Sequence, residues 1–153
     1  MKRLSVLFAA MSLSAGVFAA AADQIMVHQP YVRLAPPNAM ATGAYMVLKN
    51  GGEREVKLVK AENPASQTTE LHTHVNDNGV MRMRQVADIA IPAKGETALK
   101  PGGLHVMMIN MKAPLSEGQV VPITLTFDDG SSKQVEAKVV KSAPSSMPAQ
   151  HAH

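Results

Sequence analysis

From Ile25 onward the apolar positions recur every second residue over short runs, and the spacing of three to four residues that marks an amphipathic helix is nearly absent. The alternation is cleanest at Val120 to Phe127, where Ile123, Leu125 and Phe127 fall on one side and Thr124 and Thr126 on the other. Strands are expected over Ile25 to Leu34, Gly43 to Lys49, Glu55 to Lys60, Thr68 to Val75, Val80 to Val86, Thr97 to Leu99, Leu104 to Met111, Val120 to Phe127 and Lys133 to Val140. Pro30 marks an edge or a break, because it has no N–H to give to a ladder. The separators carry turn chemistry: Pro36-Pro37-Asn38, Asn50-Gly51-Gly52, Asn76-Asp77-Asn78-Gly79, Pro101-Gly102-Gly103 and Asp128-Asp129-Gly130. Eight or nine short strands at this spacing predict an all-β fold, an antiparallel sandwich or barrel.

The two ends break the pattern. Met1 to Ala22 has Lys2 and Arg3, an apolar run from Leu4 to Ala20 and a string of alanines, the layout of a secretory signal peptide. Small residues at Ala20 and Ala22 fit cleavage before Asp23, and a cut after Ala19, Ala20 or Ala21 fits nearly as well. The expected organisation is a leader over 1–22, a β domain over 23–141 and a tail over 142–153, with a periplasmic address and no stable membrane insertion. The tail, SAPSSMPAQHAH, has no apolar period and reads as disordered.

Composition narrows the chemistry. At 153 residues and 46% hydrophobic content the chain is one domain's worth. The net charge of +3 shrinks to 13 basic against 12 acidic residues once Lys2 and Arg3 are set aside, so nothing favours nucleic acid as a partner. No cysteine is present, which excludes disulfides, thiolate metal sites, a cysteine nucleophile and a blue-copper electron-transfer centre. Methionine is abundant instead: nine of the 11 lie outside the leader, in a body with no Trp and a single Phe, Phe127. Some of them must fill the core, and Met26, Met46, Met108 and Met111 are assigned there.

Others stand beside histidines. LHTHVNDNGVMRMR (Leu71 to Arg84) reads as a hairpin about Asn76 to Gly79. With Asp77-Asn78 central, His72 opposes Met83 and His74 opposes Met81; with Asn78-Gly79 as a type I′ turn, His74 opposes Met83. The two registers differ by an even step, so both keep His72, His74, Met81 and Met83 on one face. Further on, GLHVMMINMK (Gly103 to Lys112) sets His105 and Met107 on a common face and turns Val106 and Met108 the other way, into the core. Thioether sulfur is soft and uncharged; it suits Cu(I) and is a poor ligand for Zn(II), Mg(II) or Ca(II). Six candidate ligands, His72, His74, Met81, Met83, His105 and Met107, remain open on strand parity. His28 has no partner at suitable spacing and is read as structural.

The run His72-x10-Met83-x21-His105-x-Met107, within ELHTHVNDNGVMRMR and LKPGGLHVMMINMK, resembles the motif of the periplasmic PCu(A)C copper chaperones, a likeness covering roughly Ile25 to Lys141. That resemblance implies a cupredoxin-like β-barrel or sandwich, a surface-near Cu(I) site formed by His72, Met83, His105 and Met107, and delivery of copper to the CuA centre of cytochrome c oxidase, with a Sco-type protein as a further partner. It departs from the family at His74, where relatives often have Met, which makes His74 an additional candidate ligand. Met81 reads as structural or as support for the site. Met147, His151 and His153 in the tail are additional candidates, and their imidazoles would favour Cu(II).

No nucleophile elbow, phosphate loop or dedicated carboxylate pair occurs, so no enzyme is expected. Two alternatives share the composition: a periplasmic copper storage or resistance protein without an oxidase partner, and a metal-free β-sandwich interaction module.

Overall fold

The computed structural model describes residues 18–144. A four-residue helix, α1 (Ala21–Gln24), leads into ten strands: β1 (Ile25–Arg33), β2 (Ala41–Asn50), β3 (Val56–Glu62), β4 (Ser66–Asp77), β5 (Val80–Gln85), β6 (Ile89–Ile91), β7 (Glu96–Leu99), β8 (His105–Met111), β9 (Val120–Phe127) and β10 (Ser132–Val140). Nine of them answer to the nine runs of alternating residues. The tenth, β6, is three residues pairing with β3, with Ile89 and Ile91 turned inward. Three residues give alternation too little room to register.

The strands follow the order β5-β4-β8-β2-β1-β10-β9-β3-β6, with β7 also paired to β2. The sheet curls over so that β3 lies against β4, and β6 against β2 and β7, closing a sandwich. One pair departs from the antiparallel expectation: β1 and β10 run parallel, Arg33 beside Val140. Pro30 does mark a break, since the β1–β2 register slips between His28 and Tyr31 and Gln29 adopts φ 50°.

Between the layers lie Ile25, Val32, Met46, Leu48, Leu58, Val106, Met108, Ile123, Leu125 and Phe127, all at most 1% exposed. Met46 and Met108 are core fillers as expected and Met111 packs against the core's edge. Met26 is not: it is 61% exposed, because Ile25 takes the inward parity at the start of β1 and leaves its neighbour outside.

The first described residues join this core. Ala21 and Ala22 are buried, the Ala21 N–H donates to Asp129 Oδ2 at 2.8 Å and the Ala22 N–H to Ser131 Oγ at 2.9 Å. The Ala21 bond holds the exposed Asp129 carboxyl below its ordinary pKa, helped by Ser131. Most of the leader and the tail from residue 145, with Met147, His151 and His153, lie outside the described residues. Among the described residues no helix is long and apolar enough to cross a membrane.

Candidate metal centre

β4, β8 and β5 bring the candidate ligands together on the face opposite the core. The hairpin takes the second of the two registers: Asp77 pairs with Val80 across Asn78 and Gly79, whose φ values of 51° and 86° make the turn, and His74 therefore faces Met83. Asn76 Oδ1 accepts from the Gly79 N–H at 2.7 Å and fastens that turn. On the other side of β4, His72 pairs with His105 and Glu70 with Met107, while Leu71 and Val106 pair on the core face.

Parity thus puts Glu70, His72, His74, Met83, His105 and Met107 on one surface. His105 is the fixed point. It is 1% exposed, its Nδ1 donates to the Gly103 carbonyl at 2.9 Å, and its Nε2 is buried with no hydrogen-bond partner. A carbonyl only accepts, so the proton sits on Nδ1 and the Nε2 lone pair is bare. Burial pushes the His105 imidazole below its ordinary pKa; the Gly103 bond opposes this and the neighbouring His74 and His72 reinforce it. The approach of Gly103 depends on the turn before it, where Gly102 adopts φ 81°.

Two other imidazoles flank this ring. The His74 and His105 centroids are 5.2 Å apart, and those of His72 and His105 5.8 Å. His72, 13% exposed, holds Glu70 Oε2 through Nε2 at 2.7 Å, which leaves its Nδ1 buried and unpartnered. A cleft of about 370 Å³ opens over the group, lined by His74, Met83, His105 and Met107, with Tyr45 and Gly43 on the wall formed by β2 and Arg33 and Lys141 among its other lining residues. His72 does not line that cleft; it faces His105 from β4. Met81 shares the parity of the set yet sits near the hairpin tip, 56% exposed and outside the cleft. An adjoining apolar cleft of about 360 Å³ beyond Leu34 to Pro36 has Met40 and Met111 in its wall and no histidine.

Tyr45 and Gly43 are contributions that alternation alone did not single out. The Tyr45 ring folds back over Gly43, so closely that a Cβ there would stand 2.5 Å from the phenol oxygen. Its centroid is 6.1 Å from that of His105 and 5.2 Å from that of Tyr31. Burial raises the Tyr45 pKa, and Arg33, hydrogen-bonded to it, pulls the other way. Among the described residues no three His, Asp or Glu side chains form a metal-holding group by themselves. A metal held here would need the sulfur of Met83 or Met107, and such sulfur selects a soft ion.

Comparison with known proteins identifies the family and the fold. The model of the LpqE-like family matches residues 25–139. A Leifsonia xyli chain named as a lipoprotein is 35% identical over 119 residues, 77% of this chain and 70% of its own length. A Rickettsia prowazekii protein is 32% identical over 101 residues, and the match spans 65% of this chain and 56% of that one. The solution structure of the Cu(I) form of DR1885 from Deinococcus radiodurans superposes with a TM-score of 0.64 at 35% identity, covering 85% of either chain. The copper-bound PCuAC domain from PmoF2 superposes with a TM-score of 0.66 at 20% identity, over 82% of this chain and 97% of that domain, a likeness of fold. On the family match and these structures together, the chain belongs to the LpqE-like family of PCuAC domains and has their cupredoxin-like β-sandwich fold.

Proposed function

We propose that this chain is a periplasmic carrier of Cu(I) that holds the ion with His72, Met83, His105 and Met107 and gives it up to the CuA site of cytochrome c oxidase, directly or through a Sco-type protein. The observation that supports it most is the pair of bare nitrogens, His72 Nδ1 and His105 Nε2, buried on residues that face each other across β4 and β8. Buried polar atoms are normally hydrogen-bonded, and an orphaned lone pair is costly unless something else takes it. Two such lone pairs on the face that also carries Met83 and Met107 suit a soft monovalent ion. The copper-bound state of the similar Deinococcus radiodurans protein points the same way.

The donor set is neutral, so the complex keeps the single charge of Cu(I). An acceptor offering thiolates binds Cu(I) more strongly than imidazole and thioether do, and exchange one ligand at a time then runs downhill away from this chain. Having no cysteine, the carrier has no thiol to lose to oxidation in an oxidising compartment. No catalytic step is part of this reading.

The exported address rests on the leader, and the kinship with a chain named as a lipoprotein is in keeping with export. Of the cleavage positions open to it, those before Ala21 are favoured, since a cut before Asp23 would remove two buried alanines and their bonds to Asp129 and Ser131. Lys141, which precedes the tail in sequence, lines the cleft. Met147, His151 and His153 are proposed as a capture arm for Cu(II).

An anaerobic Cu(I) competition titration of the mature protein tests the ligand set. His72→Ala and Met107→Ala should each weaken binding by at least about tenfold, given that even an outer partner of a metal ligand is worth about 10 to 100-fold. His74→Ala should stay within about twofold, a change under about 0.5 kcal/mol. Reversed results for the two histidines would move the fourth ligand to His74. Loss of Cu(I) to an isolated CuA-bearing oxidase domain, or to a Sco-type protein, tests the acceptor; a chain that retains its copper against both is a storage protein instead.

A further inference from the structure

Glu70 is two residues before His72 on β4, on the same face, and across from Met107 on β8. Its Oε2 lies 2.7 Å from His72 Nε2, and both side chains are largely shielded from water, 28% and 13% exposed. A carboxylate only accepts, so the His72 proton is on Nε2 and the lone pair is on Nδ1, the atom left buried and unpartnered. His105, facing it, is the reverse: Gly103 takes the Nδ1 proton and Nε2 is left bare. The two opposed imidazoles therefore stand in opposite tautomers, each set by an acceptor on the side away from its free nitrogen.

We propose that Glu70 is a positioning residue that locks His72 in the Nε2–H tautomer, so that the ion is ligated by Nδ1 of His72 and Nε2 of His105. The proposal rests on the copper reading above and adds to it which nitrogen of each ring binds and which carboxylate decides it. Carboxylates hydrogen-bonded to the far nitrogen of a ligating imidazole act in this way at metal sites: they fix the tautomer and ring orientation and raise the basicity of the ligand. Glu70 has a further effect here, because it is the one acidic side chain hydrogen-bonded to a proposed ligand among the described residues. Its negative charge favours the higher oxidation state of the ion, so removing it should raise the Cu(II)/Cu(I) potential while leaving the thioether ligands in place.

The test is made on nitrogen-labelled mature protein near neutral pH, first without metal and then with Ag(I), a diamagnetic stand-in for Cu(I). Long-range proton–nitrogen NMR reads the tautomer of each imidazole, and silver–nitrogen coupling reads which nitrogen ligates. The expected result is a proton on Nε2 of His72 and on Nδ1 of His105 before loading, and coupling to Nδ1 of His72 and Nε2 of His105 after it. Glu70→Gln retains an acceptor oxygen and should keep the tautomer while raising the Cu(II)/Cu(I) potential. Glu70→Ala should mix the His72 tautomers and weaken Cu(I) binding about 10 to 100-fold. Coupling at Nε2 of His72, or a His72 tautomer unmoved by Glu70→Ala, overturns the role of Glu70 and leaves the copper site standing. Silver coupling at neither ring overturns both. Unchanged melting of Glu70→Gln separates a role in ligation from one in folding.

Discussion

The two halves of the candidate centre are built to different standards. β8 runs through the middle of the sheet with β4 on one side and β2 on the other, and its His105 is 1% exposed and held by Gly103. β5 is an edge strand paired only to β4, every one of its six residues is exposed, and its Met83 is 44% exposed. Both supply ligands in the proposed site. One half is fixed before the ion arrives and the other borders solvent on a strand with a free edge. A carrier needs that asymmetry, because ligand exchange requires an incoming group to reach the ion from one side while the other side still holds it. A centre enclosed all round would bind as well and deliver slowly.

The comparison is broken most severely at the fixed half. His105→Ala should abolish tight Cu(I) binding, a loss of at least about a hundredfold given what outer partners alone are worth. It should also lower the melting temperature of the metal-free protein, since it empties a buried site between Tyr45, His72 and His74. Met83→Ala is the matching change in the open half and should weaken Cu(I) about tenfold or more with the melting temperature unmoved. Titration and thermal melts of the two variants side by side decide the matter. Equal melting temperatures would remove the distinction between a rigid and an exchangeable half.

Gly43→Ala comes next in size and attacks the fixed half from behind. The new Cβ would meet the Tyr45 phenol oxygen at 2.5 Å, so the ring must swing off β2. Overpacking of this kind costs about 1 to 3 kcal/mol. Displacing Tyr45 uncovers His105 as well, and Cu(I) affinity should fall together with stability. Chemical denaturation with a parallel titration checks this, and in a Tyr45→Ala background, itself destabilised by loss of a buried ring, Gly43→Ala should cost nothing further. A cost that is the same with and without the ring would mean that the ring is not what the methyl group strikes.

Acidification probes the same half without mutation. The pKa of His105 is lowered in the fold, chiefly by burial, so the unfolded chain takes up a proton that the folded chain refuses. The stability this represents is whole above the unfolded value of about 6.5 and is lost as pH falls from there through the lower folded value. The melting temperature of the metal-free protein should decline between about pH 7 and pH 5, and the decline should flatten in His105→Leu. Asp129, also lowered, would act in a separate and more acid range, below about pH 4, so the two effects do not overlap. A slope unchanged in His105→Leu would assign it to another group.

Alternation made the strands and the site face legible in the sequence. The Asn78-Gly79 dipeptide held the register, because two successive positive φ values are what the type I′ turn requires. Three features were hidden for physical reasons. The parallel pairing of β1 with β10 joins the two ends of the domain and leaves no local mark. Met26 and Ile25 are both apolar, so hydropathy could not say which faced inward. Parity alone did not choose between His72 and His74, whose rings lie 5.8 and 5.2 Å from that of His105, and only the family resemblance favoured His72. What separates them is Glu70 holding one ring and the cleft bordering the other. Glu70 itself was findable, at an even step from His72, had acidic residues of the same parity been weighed with the ligands.

The smallest effect expected is at Met81, and it tests parity against place. Met81 has the right side chain and the right face, paired with Asn76 one step beyond Met83, but it is 56% exposed and outside the cleft. If a face were enough to recruit a ligand, Met81→Leu would weaken Cu(I) binding much as Met83→Leu does. Because the proposed ion also contacts His105, which lines the cleft that Met81 stands outside, Met81→Leu should change the affinity by less than about twofold, or about 0.4 kcal/mol, with no change in melting temperature. A tenfold loss in that titration would mean that the hairpin closes over the ion as a unit, with both methionines drawn in, and that the open half of the centre is open only while it is empty.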